Sequence, residues 1–289
     1  MKLHLLDGTY ELFRAHFGAP PRAAPDGRPV GATHGLVAST LALLAEPGIT
    51  HLAAAFDSVI ESFRNDVYPG YKTGEGIDPD LFDQFPLAER AMRAIGVTTW
   101  SMYEYEADDA LATAAHRWRD EVEQVVILSP DKDMAQCFGD PRVVGYDRRK
   151  GAFIDRDGVM EKFGVAPESI PDYLALVGDA ADALPGLPGW GAKSSATVLA
   201  HYRHLESIPL EPERWEVKVR GAVQLGATLR SRMGEALLYR FLARLRRDVP
   251  LPDSLGDLEW RGVPRASFDH LCDELGFDRL RRRPHRWEE

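Results

Sequence analysis

Residues 124–136 read QVVILSPDKDMAQ. The run from Val125 to Leu128 is aliphatic and short, which suits a strand buried on both faces. Two carboxylates, Asp131 and Asp133, follow almost at once. In an extended segment they alternate with Lys132, so the lysine turns away and both acids can face one ion. Asp133 could equally cap a helix through Met134 and Ala135, a reading that leaves Asp131 unexplained. Outward from this stretch the same pattern recurs. KLHLL at 2–6 precedes Asp7, and HLAAAF at 51–56 precedes Asp57. RVVG at 142–145 reads as a further strand, and helical patterns cover roughly 32–45, 79–95 and 107–119. Strands alternating with helices predict an α/β fold, a mostly parallel central sheet flanked by helices. Ligands of such sheets collect beyond the carboxyl ends of the strands.

The acids at element ends are Asp7, Asp57, Glu106, Asp108, Asp109, Asp131, Asp133, Asp179 and Asp182. Like charges gathered at one edge resist ionisation unless something positive sits among them. Hard divalent cations bound by oxygen are the chemical remedy. Glu106 and Asp109 fall on one face at the start of a helix beginning EADDALATAA, with Asp108 beside them. A helix N-terminus favours one anion, but three acids in four residues exceed that need.

The net charge of −10 argues at first against a polyanionic partner, but charge is unevenly distributed. Residues 213–247 carry nine Arg or Lys against three Glu, and the tail from Arg279 to Arg286 is basic. An acidic site beside a basic flank is compatible with binding DNA by its phosphates. No apolar run reaches membrane-spanning length, and MKLHLLDGTY lacks a signal-peptide pattern, so no membrane partner and a cytoplasmic location are expected. Cys137 and Cys272 have no metal-ligand spacing, which argues against a disulfide framework or a zinc site.

The stretch 64–86 is polar and rich in Gly and Pro; insertions of this kind are usually functional or mobile. From about 167 the strand signal stops and a helical subdomain is expected. Within it GDAADALPGLPGWGAKSSATVL begins at Gly178. Asp179 and Asp182 precede a loop whose glycines expose backbone N–H and C=O groups, and SSATVLAHY resumes a helix. A Gly-rich turn opening a helix can bind phosphate through main-chain N–H groups. GxxGxG alone is a weak signal; the acidic pair and Lys193 strengthen it.

Six ordered stretches carry a resemblance: DGTYELFRAHF (7–17), AFD (55–57), FRNDVYPGYK (63–72), EADD (106–109), SPDKDMAQ (129–136) and GDAADALPGLPGWGAK (178–193). Over roughly residues 1–250 the chain resembles the 5′-3′ exonuclease domain of bacterial DNA polymerase I, whose relatives include phage exonucleases and flap endonucleases. The resemblance implies a PIN-like catalytic domain over 1–177 with an arch at about 74–95. A helical DNA-binding subdomain over 178–289 would contain a helix–three-turn–helix clamp at 178–202. It implies a structure-specific, metal-dependent 5′-3′ exonuclease and 5′-flap endonuclease, free-standing because the chain ends near 289. Asp7, Asp57, Glu106, Asp108 and Asp109 would hold one Mg²⁺ or Mn²⁺, and Asp131, Asp133, Asp179 and Asp182 a second. Lys72 matches the family's catalytic lysine. Tyr71 would stack near substrate, while Arg14 and Arg64 would contact phosphates. Gly189, Gly191 and Lys193 would touch DNA, and the carbonyls of Leu187 and Trp190 would bind K⁺. The expected partners are 5′-flap, nicked or 5′-ended duplex DNA, with a polymerase or ligase beside a monomeric, nucleoid-associated enzyme.

Only seven of the 35 basic residues are Lys, so Lys at 72 and 193 favours specific ammonium groups. Three departures stand out. Glu75 occupies the place of a usual arginine, Pro130 that of a Gly, and Ala183 that of an Asn. Two other readings stay open: a PIN-class single-strand ribonuclease, against which the clamp argues, and a non-catalytic branched-DNA binder, which Glu75 motivates.

Overall fold

The computed structural model describes residues 1–288. In chain order the elements are β1 (Lys2–Asp7), α1 (Gly8–Gly18), α2 (Gly31–Leu44), β2 (His51–Asp57), α3 (Phe63–Val67), α4 (Pro79–Phe82) and α5 (Phe85–Ala94). Next come β3 (Thr98–Met102), α6 (Ala107–Trp118), β4 (Gln124–Leu128), β5 (Val143–Asp147), β6 (Ala152–Ile154) and α7 (Arg156–Phe163). The last are α8 (Ile170–Val177), α9 (Ala192–Tyr202), α10 (Ala222–Ser231), α11 (Met233–Ala243) and α12 (Arg265–Leu275). By packing, the chain divides into one unit of 1–62, 73–129 and 247 onward, and another of 63–72 and 130–246. Among the described residues no helix is long and apolar enough to cross a membrane.

In the first unit β1 to β4 run parallel in the order β3-β2-β1-β4. Leu3, Leu5, Ala53, Ala54, Val125 and Ile127 are fully buried, as the unbroken apolar runs require of strands covered on both faces. Register aligns Asp7 with Ala55, Asp57 with Met102 and Leu6 with Leu128, so the carboxyl ends of all four strands form one edge. Gly8, directly after Asp7, is a steric requirement: a Cβ there would lie 2.3 Å from the Phe56 ring. Only glycine lets α1 begin that close to β2.

The expected strands 2–6, 51–56 and 124–128 form. β3 escaped the sequence reading because TTWSM is half-polar and only Trp100 is buried within it. The helical pattern at 79–95 breaks into α4 and α5. The expected arch does not extend over 85–94, since Phe85, Leu87, Ala88, Ala91 and Met92 are buried and α5 packs on β2, β3, α2 and α12. The segment from 247 onward also departs from expectation. It packs with the sheet unit rather than the helical one, because its apolar residues Trp260, Val263, Phe268 and Phe277 need a core. Trp260 donates its indole N–H to the Ile95 carbonyl at 2.9 Å, and Trp100 donates to Asp253 at 2.8 Å. In the basic tail, Arg281 pairs with Asp269 and Asp273.

The second unit contains the antiparallel pair β5–β6 and the helices α3 and α7 to α11. The stretch 178–202, expected to hold the clamp, comprises a loop and α9 and follows directly on α8. Asp172 on α8 is fully buried and accepts hydrogen bonds from Arg240 (3.1 Å), His204 (3.0 Å) and the Leu205 N–H (3.1 Å). Arg240 also binds Glu206, and this hydrogen bond takes the Glu206 carboxyl down to about 2 despite some opposing burial. The network anchors α8 and α11, which pack together, to the segment following α9.

Candidate active site

Five of the sequence-singled acids lie in the first unit. Asp7, only 6 % exposed, caps α1 by accepting the Tyr10 N–H at 2.8 Å. Its other oxygen accepts the Ser129 hydroxyl at 2.8 Å. Asp57 accepts the Ala107 N–H at the start of α6 at 2.7 Å, and its own N–H donates to the Thr9 hydroxyl at 2.8 Å. Glu106, which precedes α6, accepts from Ser62 at 2.9 Å, and fully buried Asp109 accepts the Glu106 N–H at 3.1 Å. Asp108 is half-buried on the same first turn. Helix-capping therefore accounts for part of what Asp7 and Asp109 do. The same hydrogen bonds orient their carboxylates at the carboxyl edge of the sheet. Ser129, Ser62 and Thr9 were not singled out in the sequence, although Ser129 is the first polar residue after an apolar strand.

The other four lie in the second unit. Asp133, Asp179 and Asp182 each present a carboxylate oxygen, and these oxygens lie within 4.8 Å of one another. Asp133 opens a 3-10 turn over Asp133–Cys137, and Asp131 accepts its N–H at 2.8 Å. Asp133 is therefore not the cap of this turn: Asp131 accepts its N–H, and Asp133 itself joins the cluster. Asp133 is 5 % exposed, and its Oδ1 is buried without a hydrogen-bond partner. Burial first, then the charges of Asp131, Asp182 and Asp179, push its carboxyl well above the usual range, with Lys132 opposing. A group in this state takes up either a proton or a cation, and three aspartates so placed fit a hard divalent ion.

The loop between α8 and α9 presents two of the three. The Asp179 N–H donates to the Leu184 carbonyl and the Leu184 N–H to the Asp179 carbonyl, each at 2.8 Å. Gly178 (φ +86°) and Gly186 (φ +68°) close this hairpin; a Cβ on Gly186 would meet the Gly178 nitrogen at 2.5 Å. Asp179 is 3 % exposed and accepts the Ala181 N–H at 2.9 Å. Ala183, the departure from Asn, sits at φ +55°, where a short amide side chain is better tolerated.

Lys72 Nζ lies 3.7 Å from Asp182. Lys132 does not turn away: its Nζ is 2.5 Å from Asp179 Oδ1. The extended geometry expected of 131–133 gives way to the 3-10 turn, which carries the lysine back over the acids.

The expected DNA contacts divide sharply. Gly189, Gly191 and Lys193 are exposed at and just inside the start of α9. Arg64, expected at a phosphate, is 1 % exposed and donates to the carbonyls of Leu242 (2.7 Å) and Arg244 (3.1 Å), closing the end of α11. Tyr71, expected to stack near substrate, is likewise buried at 3 % exposure. Arg14 pairs with Glu11 and donates to Ser39 at 2.8 Å. Leu187 and Trp190 have buried side chains, and the Leu187 carbonyl accepts the Trp190 N–H at 3.1 Å. Glu75 is exposed.

Carboxylates ranged along a parallel sheet edge, in a chain that also carries an acid trio shared between a glycine-closed helical hairpin and the 3-10 turn that opens at Asp133, mark the metal-dependent nuclease class. The chain belongs to the 5′-3′ exonuclease family: the N-terminal resolvase-like domain matches residues 2–164 and the C-terminal SAM fold residues 165–266. It is 34 % identical to DNA polymerase I of Bacillus caldotenax over 281 residues, covering 96 % of this chain and 31 % of that protein. With DNA polymerase I of Rhizobium leguminosarum it shares 38 % over 258 residues, 86 % of this chain and 25 % of that one. The chain thus spans about a third or less of the length of these curated relatives. Its fold is that of the T5 5′-exonuclease solved with zinc ions (TM-score 0.68, 18 % identity, 84 % of this chain and 89 % of that one). It is also similar to the catalytic core of Rad2 in complex with DNA (TM-score 0.59, 14 % identity, 96 % and 91 % covered).

Proposed function

We propose that this chain is a structure-specific, divalent-metal-dependent 5′-3′ exonuclease and 5′-flap endonuclease acting on DNA in replication and repair. The observation that carries the reading is the trio Asp133, Asp179 and Asp182 with its buried, unpartnered Oδ1. Magnesium or manganese bound there, and a second ion on Asp7, Asp57, Glu106, Asp108 and Asp109, would supply Lewis-acid stabilisation of the phosphate and a lowered pKa for water. Asp131 holds Asp133 in place through its N–H. Lys72 brings a positive charge to the trio, suited to offset charge on the scissile phosphate. Gly189, Gly191 and Lys193, exposed at the start of α9, suit a duplex phosphate, with K⁺ on the Leu187 and Trp190 carbonyls. A cytoplasmic, nucleoid-associated monomer working beside a polymerase or ligase completes the reading.

The test is cleavage of a 5′-flap duplex and of single-stranded RNA under magnesium titration. Flap cutting that requires the ion supports the proposal, whereas cutting RNA alone, or binding the flap without cutting, sinks it. Lys72→Ala is expected to lower the single-turnover rate by about 10²–10³, the cost of removing one positioned transition-state charge. If only flap affinity falls and the rate holds, Lys72 is a binding residue.

A further inference from the structure

Lys132 lies inside the second acid cluster, and the proposed function gives it no part. Its ammonium is 2.5 Å from Asp179 Oδ1, an oxygen that also accepts the Ala181 N–H. Burial opposes its charge, yet the hydrogen bond to Asp179 and the charges of Asp179, Asp133 and Asp131 outweigh that and hold the ammonium above its usual range. At the other end of the trio Lys72 stands 3.7 Å from Asp182. Asp133, in the same cluster, keeps a buried oxygen with no hydrogen-bond partner. Two lysines thus flank three mutually repelling carboxylates. The Lys132–Asp179 contact is within hydrogen-bond range, and the Lys72–Asp182 contact is a longer ion pair.

We propose that Lys132 is a built-in counter-cation, seated on Asp179 until a divalent ion displaces it, and so a positioning residue that sets the affinity of this site for metal. The inference rests on the reading of the trio as a metal site. An ammonium 2.5 Å from Asp179 Oδ1 and a divalent ion among the three carboxylates compete for the same negative charge and repel one another. Whatever Lys132 contributes to the metal-free protein is therefore subtracted from metal binding. The side chain is 37 % exposed, so it can swing into water without disturbing packing. Keeping the trio assembled before the ion arrives is the gain; weaker binding is the cost.

Calorimetric titration with Mn²⁺, without DNA, tests this on wild type, Lys132→Met and Lys132→Arg. The binding step absent from Asp179→Asn protein identifies the site. Lys132→Met is expected to bind Mn²⁺ there about tenfold tighter, the equivalent of one charged hydrogen bond. It should also melt below wild type without divalent ions, the gap closing at saturating Mn²⁺, while Lys132→Arg restores wild-type behaviour. Equal or weaker binding by Lys132→Met, or an unchanged metal-free melting temperature, overturns the role of Lys132 and leaves the metal site standing. If wild type shows no Mn²⁺ step that Asp179→Asn removes, the metal site falls and this inference with it.

Discussion

Arg64 shows how far a residue's motif can be from its environment. FRNDVYPGYK suggests a phosphate-binding arginine, yet the guanidinium is buried, 4.7 Å above the Phe63 ring, and donates to two carbonyls at the end of α11. Both carbonyls are helix-terminal acceptors that need donors, and a planar guanidinium reaches two at once. Arg64→Lys should therefore cost about 2–3 kcal/mol in denaturant unfolding, since charged hydrogen bonds are lost inside the protein. The salt dependence of DNA binding should stay as in wild type; a shallower slope would restore the phosphate contact. Lys132 is the converse case, a residue the alternation of an extended segment turned away and the folded turn brought in. Both depend on which side a short segment presents, and that is fixed by the local backbone rather than by residue type.

At the scale of elements, the α8–α9 hairpin is the part that chemistry and backbone share. Its two closing glycines have positive φ, and the hairpin hydrogen bonds hold Asp179 at the cluster. Ala183 occupies the same left-handed region with a Cβ that disfavours it. Ala183→Gly or Ala183→Asn should raise stability by about 0.5–1 kcal/mol through relief of that strain. Chemical denaturation checks this, and a loss on both substitutions would contradict the left-handed backbone. The glycines and acids of this hairpin were legible in sequence because their spacing is their function. The extent of the arch was not: FPLAERAMRA has the same amphipathic period whether its apolar face meets a sheet or free substrate.

For the molecule as a whole, the sheet unit carries two histidines held neutral. His4 in β1 and His34 in α2 are each lowered to about 4, both chiefly by burial; Arg22 and Arg283 add to it at His34. Their folded pKa lies below the ordinary 6.5, so the unfolded chain binds protons first as pH falls. Their contribution is whole above about pH 6.5 and is lost as pH drops towards 4. The melting temperature should decline across that window, and His34→Gln should flatten part of the decline. An equal slope in wild type and variant would show that His34 does not titrate as its burial implies.

The sequence by itself determined the parallel strands and the nine acids, because apolar runs of strand length and carboxylates at their ends follow from local pattern. It also determined the family, through six stretches in fixed order. Tertiary structure alone decided where the last forty residues go, which cationic side chains meet acids and which are buried, and that β3 exists. Trp260 needed the Ile95 carbonyl, Arg64 the end of α11, and TTWSM the neighbouring β2. Each of those partners lies far along the chain or takes its meaning from a packed neighbour, so no local pattern could announce it.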